Sequence, residues 1–469
     1  MRRPLILCNL ALIAAVLAFT LAILQSGSNV LYDSDVPTAA PAPAEAAYRM
    51  LYTRSQQDFA AMTVTLSSGE AYTVESSLGF DENGNLLGVY NSLGQPVTVA
   101  GQPSFALGSI SYQMMLLTAV NLPVTASYPG LDPEACGLTA PVARIEITYH
   151  MGAPIILTIG KPTASGYSCY VQMDGDSSVH LAPIDFYEVM TRPLNDHHRL
   201  PGAIRASAAV QIAVVRPGSD NFIATNYGSE GRILPWQVDQ PYVHAGSTER
   251  IQAFVDTVCA IHADSYAASV SSAQELAAYG LDAPTRLLVA FSDGSIRDIH
   301  LGGDAGDGML YARLDTSADV YRVSTAQLPP LDKSGTDMLL DRFVTLISAG
   351  DVATVAVLAG EQAWLLNITQ DAEGDLVYAI NGEGVAGDVF APVYTAIVGM
   401  QFDKTAESAP AGDMICEVRF LHGDGTLTRV AYHSFDPHYV QADTSGGGQF
   451  LLRRERLEAM LDALKEALP

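Results

Sequence analysis

The chain has 469 residues, of which 48% are hydrophobic and 16% are charged. At roughly 150 residues per domain this length predicts about three domains, and the apolar content excludes a largely disordered chain. Asp and Glu total 51 against 25 Lys and Arg, and the resulting net charge of −26 argues against a nucleic-acid partner and against docking on anionic lipid.

The first predicted element is a transmembrane helix over residues 5–24, an almost uninterrupted apolar run. At about 1.5 Å per residue this run reaches roughly 30 Å, the thickness of the hydrocarbon core of a bilayer. Arg2 and Arg3 precede the run, so the positive-inside rule predicts a cytoplasmic N-terminus and an extracytoplasmic location for the rest of the chain. We therefore expect a single-pass cell-membrane protein held by an uncleaved signal anchor over residues 1–25.

A cleaved signal peptide is the alternative for the same segment, with Ser26 and Ser28 as the small residues near the cleavage site. The apolar run exceeds the length of about 7–15 residues that is usual in signal peptides, which favours the anchor. The next segment, residues 26–57, is predicted to be a linker, because residues 37–47 are almost entirely Pro, Ala and Thr.

The remainder of the chain is predicted to contain three repeated units, each opening with a strand of alternating polarity. A helix follows the opening strand, and a meander of strands closes the unit. In the second unit, Ser272 and Glu275 have the spacing of a capping box at the start of a further short helix. The predicted units are 58–202, 203–348 and a divergent third unit, 349–469, which ends in an amphipathic helix.

This order of elements predicts an α+β protein. The expected architecture is an N-terminal transmembrane helix followed by tandem α+β units, each built from antiparallel β-meanders with packed helices.

A repeat signature recurs in the first two units, where a Gly-Leu pair ends the short helix. Glycine at such a position adopts the left-handed conformation that closes a helix, and the following leucine packs back on it. Each proline that follows leads into a strand, and an Asp-Gly pair between alternating runs is a strong hairpin signal. The signature residues are Trp236, Pro241, Gly137, Leu138, Pro141, Gly152, Gly160, Gly280, Leu281, Pro284, Gly294, Gly302 and Gly425.

These strings resemble a bacterial domain family of unknown function, DUF4340, as two tandem copies plus a divergent third. The resemblance covers residues 58–347 and, weakly, 351–469. It implies no activity that can be assigned to particular residues. What it does imply is a single-pass membrane protein that accompanies ABC-type export systems or gliding-motility-type auxiliary proteins.

The four cysteines beyond the apolar run are Cys136, Cys169, Cys259 and Cys416. No C-x-x-C pair occurs, so neither a redox motif nor a cysteine zinc site is predicted. Buried free thiols are favoured over disulfides, and the pairing is left open.

No catalytic, cofactor-binding or metal-binding residue is predicted. The sequence has neither a Gly-x-Ser-x-Gly nucleophile elbow nor a phosphate loop with its lysine. The histidines His433 and His438, and the adjacent pair at 197–198, lack the spacing and the third ligand of a zinc site. The acidic stretches 81–85 and 304–307 are too short for calcium loops.

The sequence therefore predicts a non-enzymatic accessory or scaffold protein, with the permease or auxiliary subunits of an ABC-type complex as its partners. A broad exposed apolar patch is expected on such a protein. One alternative is a module that binds cell-envelope glycan or another polymer, which predicts a row of exposed aromatic side chains. Another is an envelope hydrolase, which predicts a cleft with carboxylates, at least one of raised pKa. The candidate aromatic residues are Tyr167, Tyr170, Tyr311, Tyr321 and Tyr439.

Overall fold

The computed structural model describes residues 48–469 except 77, 81–85, 89–96, 103–104, 231, 271 and 468–469. The predicted anchor, its alternative cleavage site and the linker as far as residue 47 lie outside the described residues.

The described part of the protein is mostly β-sheet, with 44% of its residues in strands and 20% in helices. The predicted α+β class with an N-terminal transmembrane helix is therefore wrong. The sequence patterns that we assigned to short meanders continue into larger antiparallel sheets, while the helices are few and short. In the described part of the chain, no helix combines the length and the apolar character needed to cross a membrane. The predicted single-pass localisation thus finds no support, and the run on which it depends, residues 5–24, is not among the described residues.

The chain divides into two compact units, and the first comprises the described residues up to Arg199. Its main sheet has the order β6-β3-β2-β9-β10-β11-β12-β8, and the pairs β1–β7 and β4–β5 form two small sheets. Two helices, α1 and α2, accompany them. The elements are β1 (Arg49–Thr53), β2 (Phe59–Leu66), β3 (Ala71–Ser76), β4 (Leu78–Phe80), β5 (Leu86–Gly88), β6 (Val97–Val99), α1 (Ser109–Val120), β7 (Asn121–Val124), β8 (Ala126–Pro129), β9 (Ala143–Tyr149), β10 (Ile155–Pro162), β11 (Ser168–Met173), β12 (Ser178–Pro183) and α2 (Ile184–Met190).

The second compact unit begins at Leu200 and contains two nine-stranded antiparallel sheets. The earlier of the two has the order β16-β15-β14-β13-β18-β19-β20-β21-β17. Its elements are β13 (Ala209–Val215), β14 (Phe222–Asn226), β15 (Trp236–Gln240), β16 (His244–Ala245), α3 (Thr248–Ala260), β17 (Ser265–Ser269), α4 (Ala273–Ala277), β18 (Thr285–Phe291), β19 (Ile296–Gly306), β20 (Met309–Leu314), β21 (Asp319–Ser324) and α5 (Lys333–Asp337).

The later sheet of this unit has the order β25-β24-β23-β22-β27-β28-β29-β30-β26. The C-terminal amphipathic helix is present as α7. The elements are β22 (Val352–Ala359), β23 (Gln362–Gln370), β24 (Leu376–Ile380), β25 (Glu383–Val385), α6 (Gly387–Val398), β26 (Lys404–Thr405), β27 (Met414–His422), β28 (Leu427–Ser434), β29 (Tyr439–Thr444), β30 (Gln449–Arg453) and α7 (Arg454–Glu466).

The two nine-stranded sheets share one strand order, and the eight-stranded sheet of the first unit follows the same order with one opening strand fewer. In each, an opening meander is followed by a helix and an edge strand, and a four-stranded meander then joins the opening strand to that edge strand. The predicted limits of the three repeated units stay predictions, and the limit at residue 348 lies inside the second compact unit.

One hydrophobic core runs through both nine-stranded sheets of the second unit. It extends from Ala209 to Leu464 and takes in the apolar faces of α3, α6 and α7. Strand alternation builds it: in β18, Leu287, Val289 and Phe291 are buried, and the residues between them are more accessible. The packed core therefore requires residues from both sides of position 348.

In the first unit, the buried imidazole of His197 lies between two hydroxyl groups. Its Nδ1 is 2.9 Å from the Ser111 hydroxyl and its Nε2 is 2.8 Å from the Tyr72 hydroxyl. Burial lowers the pKa of His197 to about 4, since the charged imidazolium would lose its hydration. The neutral ring is therefore part of the folded unit.

This histidine predicts an acid-sensitive first unit. The pKa is about 6.5 when the chain is unfolded, so the unfolded state binds more protons than the folded state between pH 6.5 and pH 4. The contribution of the neutral ring to the free energy of unfolding is fully present above pH 6.5, and about 2 kcal/mol of it is lost by pH 5. We expect His197→Gln to flatten this dependence while it lowers stability at pH 7. Hydrogen exchange of peptides from β2 and β3, corrected for intrinsic rates at pH 7 and pH 5, measures the pH dependence of the first unit's stability. Equal pH slopes in the two proteins would contradict the assignment.

Candidate functional site

The signature glycines of the first two units form tight backbone joints. Gly280 has a φ of 66°, and the amide N–H of Gly303 donates to the carbonyl oxygen of Tyr279 over 2.7 Å. A β-carbon on Gly302 would overlap that same oxygen and would lie 2.9 Å from Cγ of Leu281. The glycines and Leu281 thus fasten the end of the short helix onto strand β19.

The first unit repeats this joint with different residues. Gly137 has a φ of 73°, and the N–H of Lys161 donates to the carbonyl of Cys136 over 3.1 Å. A β-carbon on Gly160 would overlap the Cys136 carbonyl oxygen, while Leu138 is buried beside it.

The remaining signature residues lie at turns, in strand approaches or in the core. Gly152, Gly294 and Gly425 have positive φ and open space where a β-carbon would stand. Pro141 and Pro284 come shortly before β9 and β18, and Pro241 follows a cis peptide bond after β15. Trp236 begins β15 and is 4% exposed. The signature residues are therefore not gathered into one place, and of the thirteen Trp236 alone lines the cleft described next.

The second compact unit contains an open cleft of about 1000 Å³. One wall precedes and includes the start of β15, together with β16. The turn between β27 and β28 and the turn between β29 and β30 also line the cleft, and in the second turn the carbonyl of Gly446 accepts a hydrogen bond from the N–H of Val243 over 3.0 Å. The lining comes from segments 232–237, 243–245, 343–351, 422–428 and 444–446. Sequence reasoning did not find this cleft, because its segments lie up to about two hundred residues apart and no local pattern links them.

The segment from Thr345 to Ser348 runs along the cleft without helix, strand, turn or bend, and its residues are half-buried. The N–H of Val344 donates to the carbonyl of Met400 over 2.8 Å, and the hydroxyl of Tyr394 donates to the carbonyl of Ile347 over 3.1 Å. The backbone N–H groups of Thr345, Leu346 and Ile347 have no backbone acceptor among the described residues. These amides are donors that a bound ligand can use.

Two exposed apolar side chains line the cleft beside polar ones. The side chains of Ile233 and Val243 are 50% and 52% exposed. The guanidinium of Arg232 lies 4.7 Å from the ring centre of Tyr227 and donates to Gln237 over 2.9 Å. Half-exposed branched side chains at the mouth of a cleft favour contact with another molecule.

Two aspartates lie at one end of the cleft. The N–H of Gly423 donates to the carbonyl of Asp351 over 3.2 Å, which joins the turn after β27 to the 3-10 turn that contains Asp351. In the β27–β28 hairpin, Oδ1 of Asp424 accepts hydrogen bonds from the Thr426 hydroxyl and N–H over 2.7 and 2.9 Å. These bonds lower the pKa of Asp424, so its carboxylate is charged at neutral pH.

The histidines of the cleft are held by the protein itself. Nε2 of His422 is 2.9 Å from the Thr428 hydroxyl, and Nε2 of His244 is 3.0 Å from the carbonyl of Asp341. Burial lowers the pKa of His244, which packs against Phe402 and Phe450. Searching the described residues finds no group of three or more His, Cys, Asp or Glu that could hold a metal ion. The cleft therefore offers shape, hydrogen-bond donors and negative charge.

A second polar arrangement lies in the first unit, where Ser127, His180 and Asp176 form a row. The Ser127 hydroxyl is 2.8 Å from Nδ1 of His180, and Nε2 is 3.1 Å from Oδ2 of Asp176. The imidazole is 1% exposed, and burial lowers its pKa, whereas the carboxylate is the more accessible member. We assign the row a structural role: the enclosed His180 ring contacts both Ser127 and Asp176 through its two nitrogens, and in this way it holds edge strand β8 to β12. No pattern in the sequence indicates this row, because Ser127 and His180 meet only through strand pairing.

The aromatic candidates do not form a row. Tyr170 and Tyr321 are buried, whereas Tyr167 is exposed at a turn. The half-buried ring of Tyr311 packs against Tyr279 at 4.9 Å. The four cysteines beyond the apolar run are buried free thiols.

The family model described as "Domain of unknown function (DUF4340)" matches residues 236–412 as one copy. The match begins in β15 and ends before β27, and it includes two of the five cleft segments, 243–245 and 343–351, together with the last two residues of the segment 232–237. The prediction of two tandem copies and a divergent third is not confirmed. The matched stretch takes the later strands of one nine-stranded sheet and the earlier strands of the next. Comparison with curated proteins and with solved structures gave no match.

Proposed function

We propose that the chain is a non-catalytic scaffold and that the cleft of the second unit binds a partner protein. The proposal rests on one observation: the half-buried segment of Thr345, Leu346 and Ile347, whose amides have no backbone acceptor among the described residues, lines the same cleft as the exposed apolar side chains of Ile233 and Val243. Protein segments bind where backbone donors and apolar side chains are presented together. The volume also fits, since about 1000 Å³ is at the upper end for ligand pockets.

The resemblance to the DUF4340 family suggests where the partner is to be sought. It points to the subunits of an ABC-type transport or gliding-motility-like export complex. This partner class is a proposal that rests on the resemblance alone.

The cleft is less suited to a glycan. Glycan sites generally present aromatic faces, and the tryptophan of this cleft, Trp236, is 4% exposed. The hydrolase alternative is also weaker, because a general acid needs a raised pKa, whereas the pKa of Asp424 is lowered.

The test is selection of peptides from a random displayed library on the immobilised full chain, followed by affinity measurement with variants. We expect Ile233→Glu to weaken the selected peptides tenfold or more, since about 1.4 kcal/mol of apolar contact would be lost and a charge placed at the rim. Ile296→Glu is the matched control, because Ile296 is 55% exposed in the same unit and does not line the cleft. The proposal fails when no peptide is enriched, or when the two variants weaken binding equally.

A further inference from the structure

We infer that the segment bound in the cleft is an extended, basic polypeptide, whose backbone pairs with residues 345–347 and whose lysine or arginine side chain lies at Asp351 and Asp424. This inference rests on the proposed function and adds the chemistry and conformation of the partner.

The backbone of the cleft indicates the conformation. Residues 345–348 follow a course without turn or bend, and Ser348 is extended with φ −72° and ψ 138°. Along an extended segment successive N–H groups point to opposite sides, so the amides of Thr345 and Ile347, which have no backbone acceptor among the described residues, face the same side and resemble the open edge of a sheet. An extended segment meets such an edge by adding a strand, with main-chain hydrogen bonds at alternate residues.

The acidic end of the cleft indicates the charge. Oδ1 of Asp424 takes both donors of Thr426, and within the described structure Oδ2 accepts no hydrogen bond. The carboxylate of Asp351 forms neither an ion pair nor a hydrogen bond with any described residue. Burial raises the pKa of Tyr394, and the negative charge of Asp351 raises it further. Two carboxylates with open acceptor positions at one end of the cleft are complementary to a cationic side chain.

The other charges around the cleft agree with this assignment. Arg232 is engaged with Gln237 and with the ring of Tyr227, and the two histidines are held by neutral partners, the Thr428 hydroxyl and the Asp341 carbonyl. The net charge of −26 attracts a basic segment over long range and raises its rate of association.

The peptides selected from the displayed library test whether the bound segment is basic. We expect them to be enriched in Lys or Arg next to apolar residues. The double variant Asp351→Asn with Asp424→Asn should weaken them about tenfold, and added salt should reduce the difference between variant and native chain. Asp282→Asn is the control, since Asp282 is exposed in the same unit outside the cleft. It should leave affinity unchanged.

N-methylation of single amides along the tightest-binding peptide tests whether the peptide binds as an extended strand. Strand pairing predicts loss of affinity at every second residue and tolerance at those between, because alternate amides face away from the partner strand.

The outcomes separate this inference from the proposed function. Peptides that depend on Ile233 but lack basic residues, or that bind the Asp351 and Asp424 variants normally, overturn the charge assignment and leave the scaffold proposal standing. Loss of affinity at adjacent methylated residues, or at none, overturns strand pairing. Binding only by a glycan, or only by a second copy of this chain, overturns both proposals.

Discussion

Replacing Arg297 by alanine will destabilise the second compact unit by about 4 kcal/mol. The guanidinium of Arg297 is fully buried and lies 2.5 Å from the Asp315 carboxylate. It also donates to the carbonyl of Ile261, the residue at the C-terminal end of helix α3. Removing the side chain leaves a cavity and a buried carbonyl without its donor, and these two effects together cost about 4 kcal/mol; Asp315, whose side chain is 34% exposed, keeps contact with water when it loses its cation.

The second ion pair of this sheet supplies the control. Arg286 donates to Asp298 over 2.7 and 2.6 Å, but its side chain is 43% exposed. Exposed pairs contribute about 0–1 kcal/mol, so Arg286→Ala should have a small effect. Arg297→Met, which fills part of the volume without the charge, should fall between the two alanine variants.

Tryptophan fluorescence during urea unfolding of the full chain measures these effects. Both tryptophans of the chain, Trp236 and Trp364, lie in the second unit and are buried. Their emission therefore reports that unit without interference from the first. A loss below about 1 kcal/mol for Arg297→Ala, matching Arg286→Ala, would show that the buried pair does not stabilise the fold.

Gly302→Ala is expected to cost about 3 kcal/mol in the same unit. The new methyl group would overlap the carbonyl oxygen of Tyr279, which already accepts the N–H of Gly303, and would crowd Leu281. Neither neighbour can move freely, because one is backbone and the other is buried, and overpacking of this kind costs about 1–3 kcal/mol. The joint between the short helix and β19 must then open.

Gly303→Ala is the matched control one residue away on the same strand. Its β-carbon would approach no atom closer than 3.5 Å, and its N–H keeps the bond to Tyr279. Alanine is also the better strand residue, so stability should stay within about 0.5 kcal/mol of the native chain. The same urea transition measures both variants. Equal losses of unfolding free energy for Gly302→Ala and Gly303→Ala would mean that the strand tolerates no side chain at either position and that the joint is not the cause.

Local features could be predicted from the sequence because they depend on neighbouring residues. The capping box of Ser272 and Glu275 is present with both of its hydrogen bonds, and Gly280 adopts the left-handed conformation expected at the end of a helix. Each depends on residues within four positions, so the interactions that decide the conformation are visible in the sequence.

The fold class and the cleft could not be predicted in the same way. The class was wrong because alternation identifies a strand without showing how many strands join one sheet. The cleft brings Ile233, Thr345 and Asp424 to one opening, and their proximity depends on how two sheets share a core. The glycine joints were predictable only in part. Their left-handed members were predicted, whereas the strand glycines that they meet gain meaning only from the packed structure.

The core that runs through both nine-stranded sheets has a consequence for how this protein can change over evolutionary time. A deletion ending near residue 348 would leave either half with a large apolar face open to water. A rearrangement that parts the two sheets is therefore expected to destabilise both, whereas one that keeps residues 200–469 together retains the shared core. The two sheets are expected to pass through such changes as one module, although each contains the full strand order.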